Sequence, residues 1–156
     1  MNNKEIMTSF AFYQLDRVPL ERFLPQLLDK VVAQNYRVIV RTRTEEEVHH
    51  LDRLLWTYDA DSFLPHGTSE DGFDSEQPIY LTTSELNPNS ASVEILVGGA
   101  KHCRKGNFER TLDLFEGDDP NALAAATKRR KSLSLAGESV TFWRQSIDGV
   151  WKKENG

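Results

Sequence analysis

A single cysteine, Cys103, in 156 residues excludes an internal disulfide and leaves no thiolate set for a structural zinc. No stretch approaches the roughly 20 apolar residues that a membrane-spanning helix needs. The N-terminal Met1-Asn2-Asn3-Lys4-Glu5-Ile6-Met7-Thr8 has no apolar run of signal-peptide length, so the expected location is the cytoplasm. Glycine-rich phosphate motifs are missing as well. The segment after the first predicted strand reads Asp16-Arg17-Val18-Pro19, matching neither G-x-G-x-x-G nor G-x-x-x-x-G-K-[ST]. Without glycines the backbone cannot wrap a pyrophosphate at that helix start. H-E-x-x-H is absent, and the adjacent His49 and His50 point about 100° apart on a helix, so they cannot chelate one metal. No cofactor is expected.

Basic residues are scarce until the end of the chain. Residues 1–119 carry 12 basic and 21 acidic side chains, whereas residues 120–156 carry 7 and 3. A net charge of −5 argues against nucleic acid binding by the whole surface. An acidic body with a basic C-terminal segment instead predicts one localised site for an anionic partner. The 38% apolar and 28% charged residues suit a globular domain with a real core.

Phe10–Leu15 is short and aromatic and reads as a strand. Apolar residues at 20, 23, 24, 27, 28, 31 and 32 have helical spacing, interrupted by Pro25. Pro25 costs little if the regular helix begins near Leu24, and otherwise kinks the first turns. Asn35 is a left-handed stop, and Tyr36–Arg41 is a second strand. Thr44-Glu45-Glu46-Glu47 is a capping box, with Thr44 accepting from the third amide and Glu47 reaching back. It opens a helix whose inner stripe is Val48, Leu51, Leu55 and Tyr58, with Leu54 beside it and Trp56 at the edge. Residues 67–78 form an acidic, turn-rich loop. Ile79–Thr83, Val93–Val97, Arg110–Phe115 and Val140–Gln145 are further strands, Arg110–Phe115 by its alternation. Asp119-Pro120 starts a helix that ends at Gly137. Alternating strands and helices predict an α/β fold: a Rossmann-like three-layer sandwich with a mixed, largely parallel sheet and helices on both faces. We expect one domain over residues 1–151 and a frayed tail over 152–156.

Two constellations stand out. In Leu54–Gly67, Trp56 and Phe63 flank an acidic turn that stops on Pro65. They either close the core at a helix end or form a docking patch, since aromatics are enriched at interface centres. Asp59 and Asp61 read as solvated loop carboxylates, His66 as a loop histidine bonded to the chain or to a partner, and Cys103 as a non-catalytic thiol. The second constellation is Lys128-Arg129-Arg130-Lys131. Four consecutive cations cover most of a helix circumference and cannot all serve one face, while Lys128 and Lys131, at i and i+3, share one.

With these in place, the chain resembles the chi subunit family of bacterial DNA polymerase III. The resemblance rests on Phe12-Tyr13-Gln14-Leu15, Tyr36-Arg37-Val38-Ile39-Val40 and above all Leu51-Asp52-Arg53-Leu54-Leu55-Trp56 followed by Ser62-Phe63-Leu64-Pro65-His66 and Gln77-Pro78-Ile79. Phe142-Trp143-Arg144-Gln145 and Gly149-Val150-Trp151 also fit. It implies a non-enzymatic, clamp-loader-associated subunit. One surface, at Trp56, Phe63, Leu64, Pro65 and His66, would hold the psi subunit or a helicase-type alternative. Another, at Lys128, Arg129, Arg130, Lys131 and Gly137, would hold the acidic, Phe-ended tail of single-stranded-DNA-binding protein. The sequence departs from the family in carrying Arg130 where an aromatic is common and Thr127 where an arginine is. Two rival readings are a small α/β enzyme using a nucleotide, and direct single-stranded DNA binding with Trp143 and Trp151 as stacking platforms.

Overall fold

The computed structural model describes residues 8–58, 64–103 and 108–154. Seven strands among the described residues form one sheet: β1 (Ser9–Leu15), β2 (Val38–Arg41), β3 (Ile79–Thr82), β4 (Val93–Val97), β5 (Arg110–Glu116), β6 (Ser139–Gln145) and β7 (Trp151–Glu154). Their order is β3-β2-β4-β5-β1-β6-β7, and every pairing is parallel except β6 with β7. Helices α1 (Leu20–Ala33) and α2 (Glu45–Thr57) lead towards the β3 edge, whereas α3 (Pro120–Leu135) leads the other way. Right-handed crossovers in opposite directions put α1 and α2 on one face and α3 on the other. This is the three-layer, Rossmann-like arrangement that the alternation predicts.

The larger core lies under α1 and α2. Leu24, Leu28, Val48, Leu51 and Leu55 from the helices meet Val38, Val40, Ile79, Leu81, Ile95 and Leu114 from the sheet. Each such side chain contributes roughly 1.5–3 kcal/mol of burial. Under α3 a smaller cluster joins Phe12, Phe115 and Ala126 to the half-buried Leu123, Leu133 and Phe142. A third, under the segments that follow β3 and β4, holds Ile39, Tyr80, Ala91, Cys103 and Phe108.

Local chemistry sets the boundaries. Pro25 sits inside α1 and is buried; the helix begins at Leu20, where the Pro19 carbonyl accepts from the Arg22 and Phe23 amides. The bond that Pro25 cannot donate is outweighed by the burial of Leu24 and Leu28 beside it. Thr44 caps α2 by accepting from the Glu47 amide. The Glu47 carboxylate accepts from the Thr44 hydroxyl at 3.1 Å rather than closing the box on the backbone. Asp119 caps α3 through the Asn121 and Ala122 amides. At the other end Gly137 lies at φ +81°, and the Glu138 and Gly137 amides return to the Leu133 and Ser134 carbonyls. That is a Schellman stop, which needs a left-handed residue. Gly137→Ala is therefore expected to cost about 1 kcal/mol in urea unfolding, although a Cβ there would meet no atom within 4 Å.

Arg110–Phe115 is the strand that its alternation predicts, with Thr111 and Asp113 buried. One sequence expectation changes. The C-terminal residues do not fray from 152: Lys152, Lys153 and Glu154 pair with Arg144, Trp143 and Phe142 as the antiparallel edge strand.

Candidate functional site

The sheet register builds a site beneath α3. On that face one row runs Ile39, Glu94, Thr111, Phe10, Val140 and the next runs Arg41, Leu96, Asp113, Phe12, Phe142. Phe10, Phe12 and Leu96 floor a pocket of about 340 Å³. One turn of α3 supplies Lys128, Arg129, Ser132 and Leu133 as one wall, and Lys101 and His102 form the opposite rim. The chemistry is an apolar base under a positive edge.

Its cations differ in what they can offer. Arg129 donates from Nε and Nη2 to the two Asp113 oxygens at 2.8 and 3.0 Å, so its charge is spent within the fold. Burial raises the Asp113 carboxyl above the ordinary aspartate value, and Arg129 pulls the other way. Lys128 is exposed and has no carboxylate partner among the described residues. Arg130 turns to the far side of α3, with its guanidinium 4.5 Å from the centroid of the Phe142 ring. Lys131 and Gly137 are exposed and are not among the residues lining the pocket. The basic run is thus divided around the helix, as four consecutive positions require; Lys128 and Arg129 alone of it reach this pocket, and Lys131, expected on the face of Lys128, does not line it.

Sequence reasoning passed over the rim residue His102 and the group that holds it. Glu94 is fully buried in β4. Its Oε2 accepts from Arg41 Nε at 2.9 Å and the Cys103 amide at 3.0 Å; its Oε1 accepts from His102 Nδ1 at 2.5 Å and Thr111 Oγ1 at 3.1 Å. Burial pushes this carboxyl up, but His102, the Cys103 amide and Arg41 outweigh it and hold it below the ordinary glutamate value. The available signal was a lone acid inside Val93-Glu94-Ile95-Leu96-Val97 and a lone arginine closing Val38-Ile39-Val40-Arg41. Cys103 is buried, and its thiol donates to the Glu85 carbonyl.

A second pocket, of about 390 Å³, opens where the strands' carboxyl ends meet the N-terminus of α3, the usual ligand position in such sheets. Here its walls carry both signs of charge, Glu47, Glu116 and Asp119 together with Arg43 and Arg129. A Cβ on Gly98 would collide with the Glu47 carboxylate. The space beside Gly98 is thus occupied by an anion of the chain itself, while Arg43 and Arg129 stand beside Gly99. The paired histidines diverge: His49 meets Glu70 and His50 meets Glu21. Trp143 stacks on Tyr13 at 6.1 Å and 9°, and Trp151 meets Tyr13 edge-on at 5.3 Å, so both rings are engaged within the fold.

The elbow after α2 is held by its own signature. Asp52 and Trp56, one turn apart, both reach His66. The His66 Nε2 lies 3.0 Å from Asp52 Oδ1, without the angle of a formed hydrogen bond. Nδ1 donates to the Leu64 carbonyl at 2.6 Å. The Trp56 ring lies 4.8 Å from the imidazole, centroid to centroid. Gly67 then joins the sheet edge through bonds with Ile79 and Leu81, and the Gln77 side chain fills the space a Cβ would take. Leu64 and His66 are buried, so they build the elbow instead of presenting it. Trp56, 57% exposed, and Pro65 remain on the surface. Phe63, Asp59 and Asp61 lie outside the described residues.

Comparison with known proteins agrees with this signature. Residues 7–141 match the family described as DNA polymerase III chi subunit, HolC. The "Probable DNA polymerase III subunit chi" of Rickettsia prowazekii (strain Madrid E) is 30% identical over 96 residues, which cover 62% of this chain and 58% of that protein. The chain thus aligns with less than two thirds of that relative's length. The family match runs from β1 through α3 into β6, across both the elbow and the pocket, and the chain belongs to the DNA polymerase III chi subunit family.

Proposed function

We propose that this chain is a non-catalytic accessory subunit of the replicative DNA polymerase III assembly, associated with the clamp loader in the cytoplasm. In this role it grips the acidic C-terminal tail of single-stranded-DNA-binding protein. The observation that carries the reading is the α3 pocket, which joins an aromatic floor to the Lys128 and Lys101 ammonium groups. A peptide ending in phenylalanine and a carboxylate needs both: apolar area for the ring and cations for the acidic residues. Lys131, with Arg130 beyond it, extends the positive surface along α3. The psi subunit, or a helicase-type alternative, docks on the elbow through Trp56, Pro65 and Phe63.

Fluorescence anisotropy with a labelled tail peptide tests the site. Wild type is expected to bind with micromolar affinity, weakening as salt screens the rim charges. Lys128→Glu should lose at least about tenfold, since it replaces attraction by repulsion beside a partly desolvated ligand. Lys131→Glu should lose only about twofold. Absence of binding by wild type, or equal binding by wild type and Lys128→Glu, would remove the pocket from consideration.

A further inference from the structure

The imidazole at the pocket rim is held as a receptor is held. His102 Nδ1 faces Glu94 Oε1 at 2.5 Å and lies 3.4 Å from the Thr111 hydroxyl. Phe10 meets the ring edge-on, centroids 4.9 Å apart. Three strands therefore fix this ring: β4 through Glu94, β5 through Thr111 and β1 through Phe10. The second nitrogen, Nε2, has no partner among the described residues and is not closed off from solvent. His102 is 23% exposed, and it lines the same cavity as Lys128. A side chain immobilised on one nitrogen and open on the other is preorganised to receive a ligand atom.

We infer that His102, locked by Glu94, is the receptor for the terminal carboxylate of the peptide in this pocket. The inference rests on the tail-binding reading and goes beyond it by naming the group that reads the chain end. Nδ1 carries a hydrogen because it faces a carboxylate that only accepts. A neutral ring would then point the Nε2 lone pair at an incoming anion, which is repulsive. The doubly protonated ring donates from both nitrogens, to Glu94 and to the ligand. The other charged groups in the cavity allow this. Lys101 and Lys128 stand at the rim, and Asp113 is bound by Arg129. Glu94, shared with Arg41, supplies the negative charge behind the ring. The lysines attract the acidic stretch of a peptide from any angle. The fixed imidazole is the directional element that distinguishes a chain end from an internal acidic residue.

The test uses the full chain and two tail peptides, one ending in a free carboxylate and one in an amide. Binding is measured by calorimetry at pH 6. Wild type is expected to favour the free carboxylate by roughly tenfold or more at pH 6, the size of one charge-assisted bond. His102→Gln, whose amide N–H can still donate to Glu94, should bind both peptides alike. Equal binding of the two peptides by wild type would overturn the inference while leaving tail binding intact. So would a carboxylate preference that survives in His102→Gln. Failure of wild type to bind either peptide would instead overturn the tail-binding reading, and this inference with it.

Discussion

Glu94→Gln is expected to cost about 3–5 kcal/mol of stability at pH 7, the range for breaking a buried ion pair by removing one partner. The glutamine leaves the Arg41 guanidinium without a counter-charge. Arg41 is only 2% exposed, and its Nη2 already lacks a hydrogen-bond partner. Its remaining contacts, the Ser84 and Leu86 carbonyls and the face of Phe108, are neutral. The effect depends on pH in a defined direction. Since the folded Glu94 carboxyl lies below its ordinary value of 4.5, its contribution is fully present above that pH. It is lost as pH falls through the folded value, where wild type also carries a neutral side chain. Urea titrations followed by tryptophan fluorescence should therefore show a large gap at pH 7 that narrows below pH 4.5. A gap of the same size throughout would mean that packing, not charge, fixes this cluster.

The second large effect separates the elbow's frame from its surface. Leu64→Ala is expected to lose about 2–5 kcal/mol, as for other buried leucines truncated in close-packed cores, because Leu64 is 3% exposed and belongs to the α1–α2 core. Trp56→Ala should cost only about 1 kcal/mol, since Trp56 is already more than half exposed to water. Partner capture should respond the other way round. At a temperature where both variants are folded, Trp56→Ala loses the elbow partner and Leu64→Ala keeps it. Paired unfolding curves and pull-downs with a purified psi subunit decide between these outcomes. Loss of capture by Leu64→Ala while it remains folded would return that residue to the docking surface.

Much of this was legible in the chain. The period of 3.6 in Leu20–Val32 and Val48–Leu55 comes from one-sided burial, which local sequence records directly. The caps at Thr44 and Asp119 and the Gly137 stop are local hydrogen-bond chemistry and fall where residue types place them. Trp56 at the edge of its stripe follows from helical phase alone. The alternation in Arg110–Phe115 marks the strand but not its surroundings, because a polar residue on a strand has the same pattern whether water or a buried partner satisfies it. Thr111 and Asp113 face Glu94 and Arg129, 17 and 16 residues away. Lys152–Glu154 looked free for a related reason: an exposed edge strand is held by backbone pairing and carries charged side chains, as a tail does.

The candidate site divides along the same line. Sequence alone determined that a cluster of cations would ring the last helix, that no phosphate loop follows the first strand, and that Leu51–Trp56 and Leu64–His66 belong to one feature. Tertiary structure decided what each residue of those groups does. Strand order placed β5 between β4 and β1, so that Glu94, Thr111 and Phe10 fall in one row beneath α3 and hold His102 at the rim. The rotation of α3 on the sheet gave Lys128 to the pocket, Arg129 to Asp113 and Arg130 to Phe142. Spacing along a helix fixes the angle between neighbouring side chains. Which of them meets a cavity depends on pairings between strands far apart in sequence.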